Sequence, residues 1–216
     1  MNKTMKTTQE NLVLIKHPLV KKDLTILRNK KTNTETFRAA VTRISNILAV
    51  EISNTFSLKE CKINTPLEKT KGYQLKQDIV LIPVLRAGLG MVDGFLQLIP
   101  DAKLGHVGLE RNETTLQPKS YYLKTPKNLG KAEVILLDPM LATGGSASAA
   151  INFLKKRKAK NIIFACLLAA PEGVKKMLKD HPDLIIFSAA LDRQLNKKGY
   201  ILPGLGDAGD RTFGTL

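Results

Sequence analysis

At 216 residues, 43% of them hydrophobic, the chain suits one domain, residues 1–216, with a full-sized core, and it is not a disordered sequence. Aromatic residues are only 5% and tryptophan is absent, so the core is expected to be aliphatic. Cys61 and Cys166 are too few and too scattered for a disulfide framework or a zinc site. The longest apolar run, Ile162 to Ala170, is too short to cross a bilayer, and no charged-then-apolar leader opens the chain. The expected setting is a reducing cytoplasm, away from membranes. The formal charge of +15 suggests either nucleic acid or a polyanionic small substrate. The basic residues are spread from Lys3 to Lys198 and not gathered in one block. The densest cluster, Lys155 to Lys160, falls where a helix should end, and cations are favoured there. It is read mainly as a solvated helix end, which disfavours nucleic acid as a partner.

Met1 to Glu10 is polar and reads as a loose tail. A short apolar run, Asn11 to Lys16, is broken by His17-Pro18, and Leu19 to Arg28 suits a short helix. A lone histidine before a proline reads as structural. Thr34 to Ser53 is an amphipathic helix, because Phe37, Val41, Ile44 and Leu48 fall on one face. Thr34 or Asn33 is available to cap it. Leu58 to Ile63 is expected as an edge strand ended by Thr65-Pro66.

Asp78 to Val84 is a buried strand, and Leu85 to Met91 (LRAGLGM) turns it into a helix. That small-residue loop carries Arg86 to a helix N-terminus. Ala102 to Arg111 reads as one strand. The polar stretch Asn112 to Lys127, with paired Tyr121-Tyr122, reads as a β-hairpin arm projecting from the core or as a flap. The tyrosines fit arm packing or a subunit contact better than catalysis.

Val134 to Leu137 is a further buried strand, followed by a turn-rich loop, Asp138 to Ser146, and an alanine-rich helical run. Strand, glycine-bearing loop and helix start make a phosphate-binding arrangement, since the loop amides lack ladder partners and the helix terminus is partly positive. Gly144 and Gly145 permit positive φ and close approach, and Thr143 and Ser146 add hydroxyl donors. Asp138 would repel a phosphate but suits sugar hydroxyls or a metal. Two phosphate-friendly loops after two parallel strands are best explained by one ligand with phosphates at both ends. The Gly-Lys-Ser/Thr of a Walker loop is absent. Asn161 to Ala169, Pro171 to Lys179 and Leu184 to Ala190 add strand, helix and strand. The alternation describes a parallel sheet covered on both faces, which binds ligands beyond the carboxyl ends of its strands.

Four glycines and a proline in Gly199 to Arg211 exclude a helix or regular strand there, leaving a loop with backbone amides and carbonyls on display. Such groups can read a planar base with alternating donors and acceptors. Asp210 and Arg211 are left outside the catalytic set as a candidate ion pair that shapes the loop.

Two strings carry a family resemblance. DPMLATGGS (138–146) closely resembles the phosphoribosyl-pyrophosphate signature of phosphoribosyltransferases, and its Asp-Pro opening resembles the uracil phosphoribosyltransferase branch. GYILPGLGDAGDR (199–211) resembles the uracil-binding segment of that branch, and the likeness spans His17 to Thr215. It implies a type I phosphoribosyltransferase-like α/β core, a parallel sheet flanked by helices, with the arm and a C-terminal base-binding loop added. The implied reaction joins uracil to phosphoribosyl pyrophosphate, giving UMP and diphosphate. Phosphoribosyl pyrophosphate would be held by Arg86 and Arg111, by Asp138, Pro139, Met140 and Leu141, by Ala142, Thr143, Gly144, Gly145 and Ser146, and by Asp207. Uracil would be read by Ile201, Gly206, Asp207 and Ala208. Asp207, Arg86 and Asp138 form the implied catalytic set, and Asp207 would meet magnesium indirectly. The family also implies a homodimer or higher oligomer and, in some members, activation by GTP. Asn29, Asn54, Asn112 and Lys197 depart from the family pattern without touching the substrate motifs.

Overall fold

The computed structural model describes residues 11–111 and 118–215, with the backbone alone at 110–111 and 118–120. The expected tail, residues 1–10, and the arm tip, 112–117, lie outside the described residues.

The chain opens with β1 (Leu12–Leu14), α1 (Pro18–Arg28) and α2 (Thr34–Ser53). His17 caps α1 by accepting the Leu19 amide, and Asn33 caps α2 by accepting that of Thr36. Both caps satisfy donors that a helix start leaves orphaned. Strands β2 (Leu58–Asn64) and β3 (Lys69–Leu75) follow, then β4 (Ile79–Leu85), α3 (Leu89–Leu98), β5 (Lys103–Leu104), β6 (His106–Arg111) and β7 (Pro118–Lys124). After a single 3₁₀ turn come β8 (Glu133–Leu137), β9 (Met140–Leu141), α4 (Gly145–Lys156), β10 (Asn161–Ala169), α5 (Pro171–Asp180) and β11 (Ile185–Leu191). The chain closes with β12 (Gln194–Leu195), β13 (Ile201–Leu202) and α6 (Ala208–Phe213).

Nine of these strands form one sheet in the order β1-β11-β10-β8-β4-β6-β7, with β5 beside β4 and β9 beside β10. Every pairing is parallel except β6 with β7. The central strands are apolar on both faces, and their alternation divides the core in two. Ile79, Leu81, Ile135, Leu137, Ile163 and Ala165 point to the side covered by α2 and α3, where Phe37, Ile44, Leu48, Met91 and Phe95 are buried. Val80, Ile82, Val134, Leu136, Ile162 and Phe164 point to the side covered by α4 and α5, among Ile151, Leu154 and Met177. The period of two explains why both runs read as continuous hydrophobic stretches.

Two expectations are corrected, and one strand has an unforeseen partner. Leu58 to Ile63 is an edge strand as expected, but it lies outside the main sheet: β2 pairs antiparallel with β3, from Leu58↔Leu75 to Asn64↔Lys69, in a separate hairpin. Neither strand has a continuous buried face, so β3 left no apolar signal. The Ala102 to Arg111 stretch is broken at Gly105, whose amide donates to the Leu81 carbonyl at 3.0 Å. The C-terminal loop does contain a helix, α6, because Asp207 supplies its cap: the carboxylate accepts the Asp210 amide at 2.9 Å. The projecting hairpin exists, but its strands are β6 and β7, rooted in the sheet where Val107 and Gly108 pair with Val84 and Leu85. The Tyr121 ring lies against Gly108, where a Cβ would come within 2.5 Å of it.

Among the described residues, no helix is long and apolar enough to cross a membrane.

Candidate active site

Adjacent strands β4 and β8 send their following helices to opposite faces: α3 packs in one half of the core and α4 in the other. That divergence opens a crevice beyond their carboxyl ends, the usual ligand position in such sheets. Arg86 leaves the end of β4 and Asp138 leaves the end of β8, so the topology alone sets them side by side. The turn after Arg86 lies close on β8: a Cβ on Gly88 would sit 2.4 Å from the Leu137 carbonyl oxygen. Only glycine fits this approach. The Leu85–Arg86 peptide bond is cis.

The 138–146 segment wraps the start of α4. Met140 and Leu141 form a short parallel pairing with Leu168 and Ala169, which anchors the loop to the sheet. Pro139 turns inward, and its carbonyl accepts the amides of Leu167 and Leu168. Gly144 adopts φ 77° and has no side chain to cap α4; the Gly145 amide donates weakly to the Thr143 hydroxyl at 3.5 Å, and the N-cap residue itself makes no side-chain bond to the helix start. A hollow of about 90 Å³ lies there, lined by Asp138, Met140 to Ala142, Thr143 to Ser146 and Ala147. Its amides and hydroxyls suit a phosphate-sized anion.

A second cavity of about 240 Å³ adjoins it through Asp138, Met140 and Ala142. Its other wall is Gly199, Tyr200, Ile201 and Gly206 to Gly209, with Ala87 between. The two glycine-rich stretches therefore converge on one cleft, although about sixty residues of chain separate them. Ile201, Gly206, Asp207 and Ala208 all line it. Arg86 lines neither cavity; it directly precedes Ala87 of the wall, and its guanidinium is 3.2 Å from the Asp210 carboxylate. Arg111 ends β6, and its side chain lies outside the described residues.

Asp138 is half-buried, and burial pushes its carboxyl up to about 7; the Met140 amide, donating at 3.3 Å, opposes that rise. The unfolded chain releases this proton near 3.8, so stability falls as pH rises from there to about 7 and is level above. Asp138→Asn is therefore expected to stabilise the ligand-free protein at pH 8 by about 2 kcal/mol, raising Tm by about 4–8 °C. The gain should vanish below pH 4, and thermal melts across pH check it. The thiol of Cys166, beneath the loop, is pushed up to about 12 by burial, which leaves no thiolate for covalent chemistry.

Asp210 and Arg211 do not pair with each other. Asp210 faces Arg86, whereas Arg211 is buried and donates to the carbonyls of Leu27, Asn29 and Leu205, its guanidinium 4.4 Å from the Phe37 ring. A further clamp escaped the sequence reading. Arg28 grips Asp192 with two bonds of 2.6 and 2.8 Å, and together they hold the amide and carbonyl of Gly204 in the turn before the cleft wall. One signal was present: Asp192 follows an apolar strand, as Asp138 does.

This fold is that of the phosphoribosyltransferases. The solved purine phosphoribosyltransferase of Pyrococcus horikoshii superposes with a TM-score of 0.52 at 19% identity, covering 72% of this chain and 84% of that one. More specifically, the chain belongs to the uracil phosphoribosyltransferase family, whose model matches residues 13–215. A uracil phosphoribosyltransferase from Malacoplasma penetrans is 55% identical over 92% of this chain and 97% of its own length. A solved Aquifex aeolicus protein superposes with a TM-score of 0.88 at 37% identity, covering 94% of this chain and 97% of that one.

Proposed function

We propose that this protein transfers the phosphoribosyl group of 5-phospho-α-D-ribose 1-diphosphate to uracil, giving UMP and diphosphate. The observation that carries this reading is the single cleft built from the 138–146 loop and the 199–209 segment. The 5′-phosphate takes the hollow at the start of α4. Asp138 accepts the ribose hydroxyls. Across the cleft, uracil meets the backbone of Ile201, Gly206 and Ala208, and its two carbonyls and intervening N–H find complementary groups. Cytosine would leave one of those amides facing an amino group, a mismatch that costs more than the bond itself. As diphosphate leaves, positive charge grows on the sugar ring, and the Asp207 carboxylate stands on the cleft wall near it. Arg86 and, by the family resemblance, Arg111 receive the departing anion, which is electrostatic assistance to the leaving group. Holding base and sugar in line supplies much of the rate.

Among the described residues, no three His, Cys, Asp or Glu side chains gather into a metal cage. The donor set fits magnesium nonetheless, because Asp138 and Asp207 face one cleft, and magnesium commonly takes one or two carboxylates with substrate phosphates and water. When bound, the ion neutralises diphosphate charge. The free thiols of Cys61 and Cys166 suit a reducing cytoplasm. Self-association is supported by the β2–β3 hairpin, which exposes Leu58, Ile63, Leu67 and Tyr73 although such a hairpin is marginal alone.

The test is direct. Purified protein with magnesium and phosphoribosyl pyrophosphate is given uracil, cytosine, orotate or hypoxanthine, and nucleotide is measured. UMP from uracil alone is expected; a purine or orotate nucleotide would overturn the assignment.

A further inference from the structure

The Arg86 side chain is 60% exposed, so packing does not set its direction. A free arginine there would sample many rotamers. Its guanidinium instead meets Asp210 Oδ1 at 3.2 Å and lies 6.0 Å from the Phe213 ring. Asp210 is itself fixed. Its Oδ1 accepts the Thr215 hydroxyl at 2.6 Å, its amide donates to Asp207, and its carbonyl accepts the amides of Gly214 and Thr215. These bonds tie one short helix, α6, to Asp207 of the cleft wall at its start and, through Asp210, to Arg86 beside Ala87 of that wall.

We infer that Asp210, steadied by Thr215, is a positioning residue that holds Arg86 ready for the diphosphate. The inference rests on the proposed role of Arg86. Asp210 uses one edge of the guanidinium, and a planar fork with five N–H donors keeps others free for a phosphate. Binding then orders a side chain whose rotamer freedom is already spent.

Steady-state kinetics on the full chain test this with Asp210→Asn, Thr215→Val, Arg86→Ala and the double variant Arg86→Ala/Asp210→Asn. Asparagine keeps an acceptor for the Thr215 hydroxyl and leaves the backbone bonds of α6 untouched. Asp210→Asn is expected to raise KM for phosphoribosyl pyrophosphate about tenfold, with KM for uracil unchanged and kcat within about twofold. Thr215→Val, at an exposed site, should move the same constant about threefold. The double variant should be no worse than Arg86→Ala, since Asp210 acts only through that arginine. An unchanged constant in Asp210→Asn, an equal rise for both substrates, or full additivity in the double variant overturns the positioning role while leaving Arg86 its place. If Arg86→Ala itself leaves KM for phosphoribosyl pyrophosphate alone, the proposed role of Arg86 falls, and the positioning role with it.

Discussion

Asp207→Asn is expected to lower kcat by about 100-fold or more while Tm stays within about 2 °C of the parent. The separation follows from the two jobs of this side chain. One oxygen caps α6 by accepting the Asp210 amide at 2.9 Å, and asparagine caps a helix as well as aspartate does. The charge is a different matter. Asp207 lines the same cavity as Asp138, and in the proposed mechanism positive charge builds there on the sugar, which a neutral amide would not stabilise. Asp207→Ala should show both losses at once, since it also removes the cap at about 1 kcal/mol. Steady-state rates beside calorimetry distinguish the two. Parental kcat in the asparagine variant would remove the Asp207 carboxylate from the chemistry.

Arg211→Met should be the most destabilising of the substitutions considered, at about 4 kcal/mol and a Tm lower by about 10 °C. Arg211 is buried, and burial alone depresses its proton affinity below the ordinary arginine value. Among the described residues no carboxylate compensates it; three main-chain carbonyls do, from Leu27, Asn29 and Leu205. Methionine matches part of the volume over Phe37 but leaves those acceptors unpaired, and unpaired buried acceptors cost more than the bonds they lose. Leu205 adjoins Gly206 on the cleft wall, so a loosened turn should also raise KM for uracil by about tenfold. Arg211→Lys should recover only part of the stability, because one ammonium lacks the reach of the planar fork. Thermal unfolding and uracil saturation curves check both statements. A melting temperature near the parent's would show that water satisfies the carbonyls.

The features legible in the chain were those with a local period. Continuous apolar runs marked β4, β8, β10 and β11 because a strand covered on both faces needs no polar alternation. The spacing of Phe37, Val41, Ile44 and Leu48 marked α2 for a similar reason, one face of it being wholly buried. The strings DPMLATGGS and GYILPGLGDAGDR pointed to a ligand site through their family resemblance, because glycine content by itself is equally at home in a surface loop. The reading failed where stability comes from far away. Glycine content argued against α6, which persists because Asp207 caps it, Arg38 binds the Thr212 carbonyl at 2.6 Å and Arg211 fastens it beneath α1. The β2–β3 hairpin was half missed because KTKGYQL has no apolar face to betray a strand.

From residue order came the parallel sheet, its covering helices and a glycine-bearing loop suited to phosphate, which follow from short-range spacing and turn chemistry that a linear string records in full. The base-binding role expected of 199–211 came only from its resemblance to a known family. The folded molecule alone settled that the two segments share a cleft, that Arg86 pairs with Asp210 across 124 positions, and that Asp192 answers to Arg28 across 164. Such partnerships depend on which strand end lies beside which. Strand order is set by the packing of two core halves and not by any pattern within one stretch of chain.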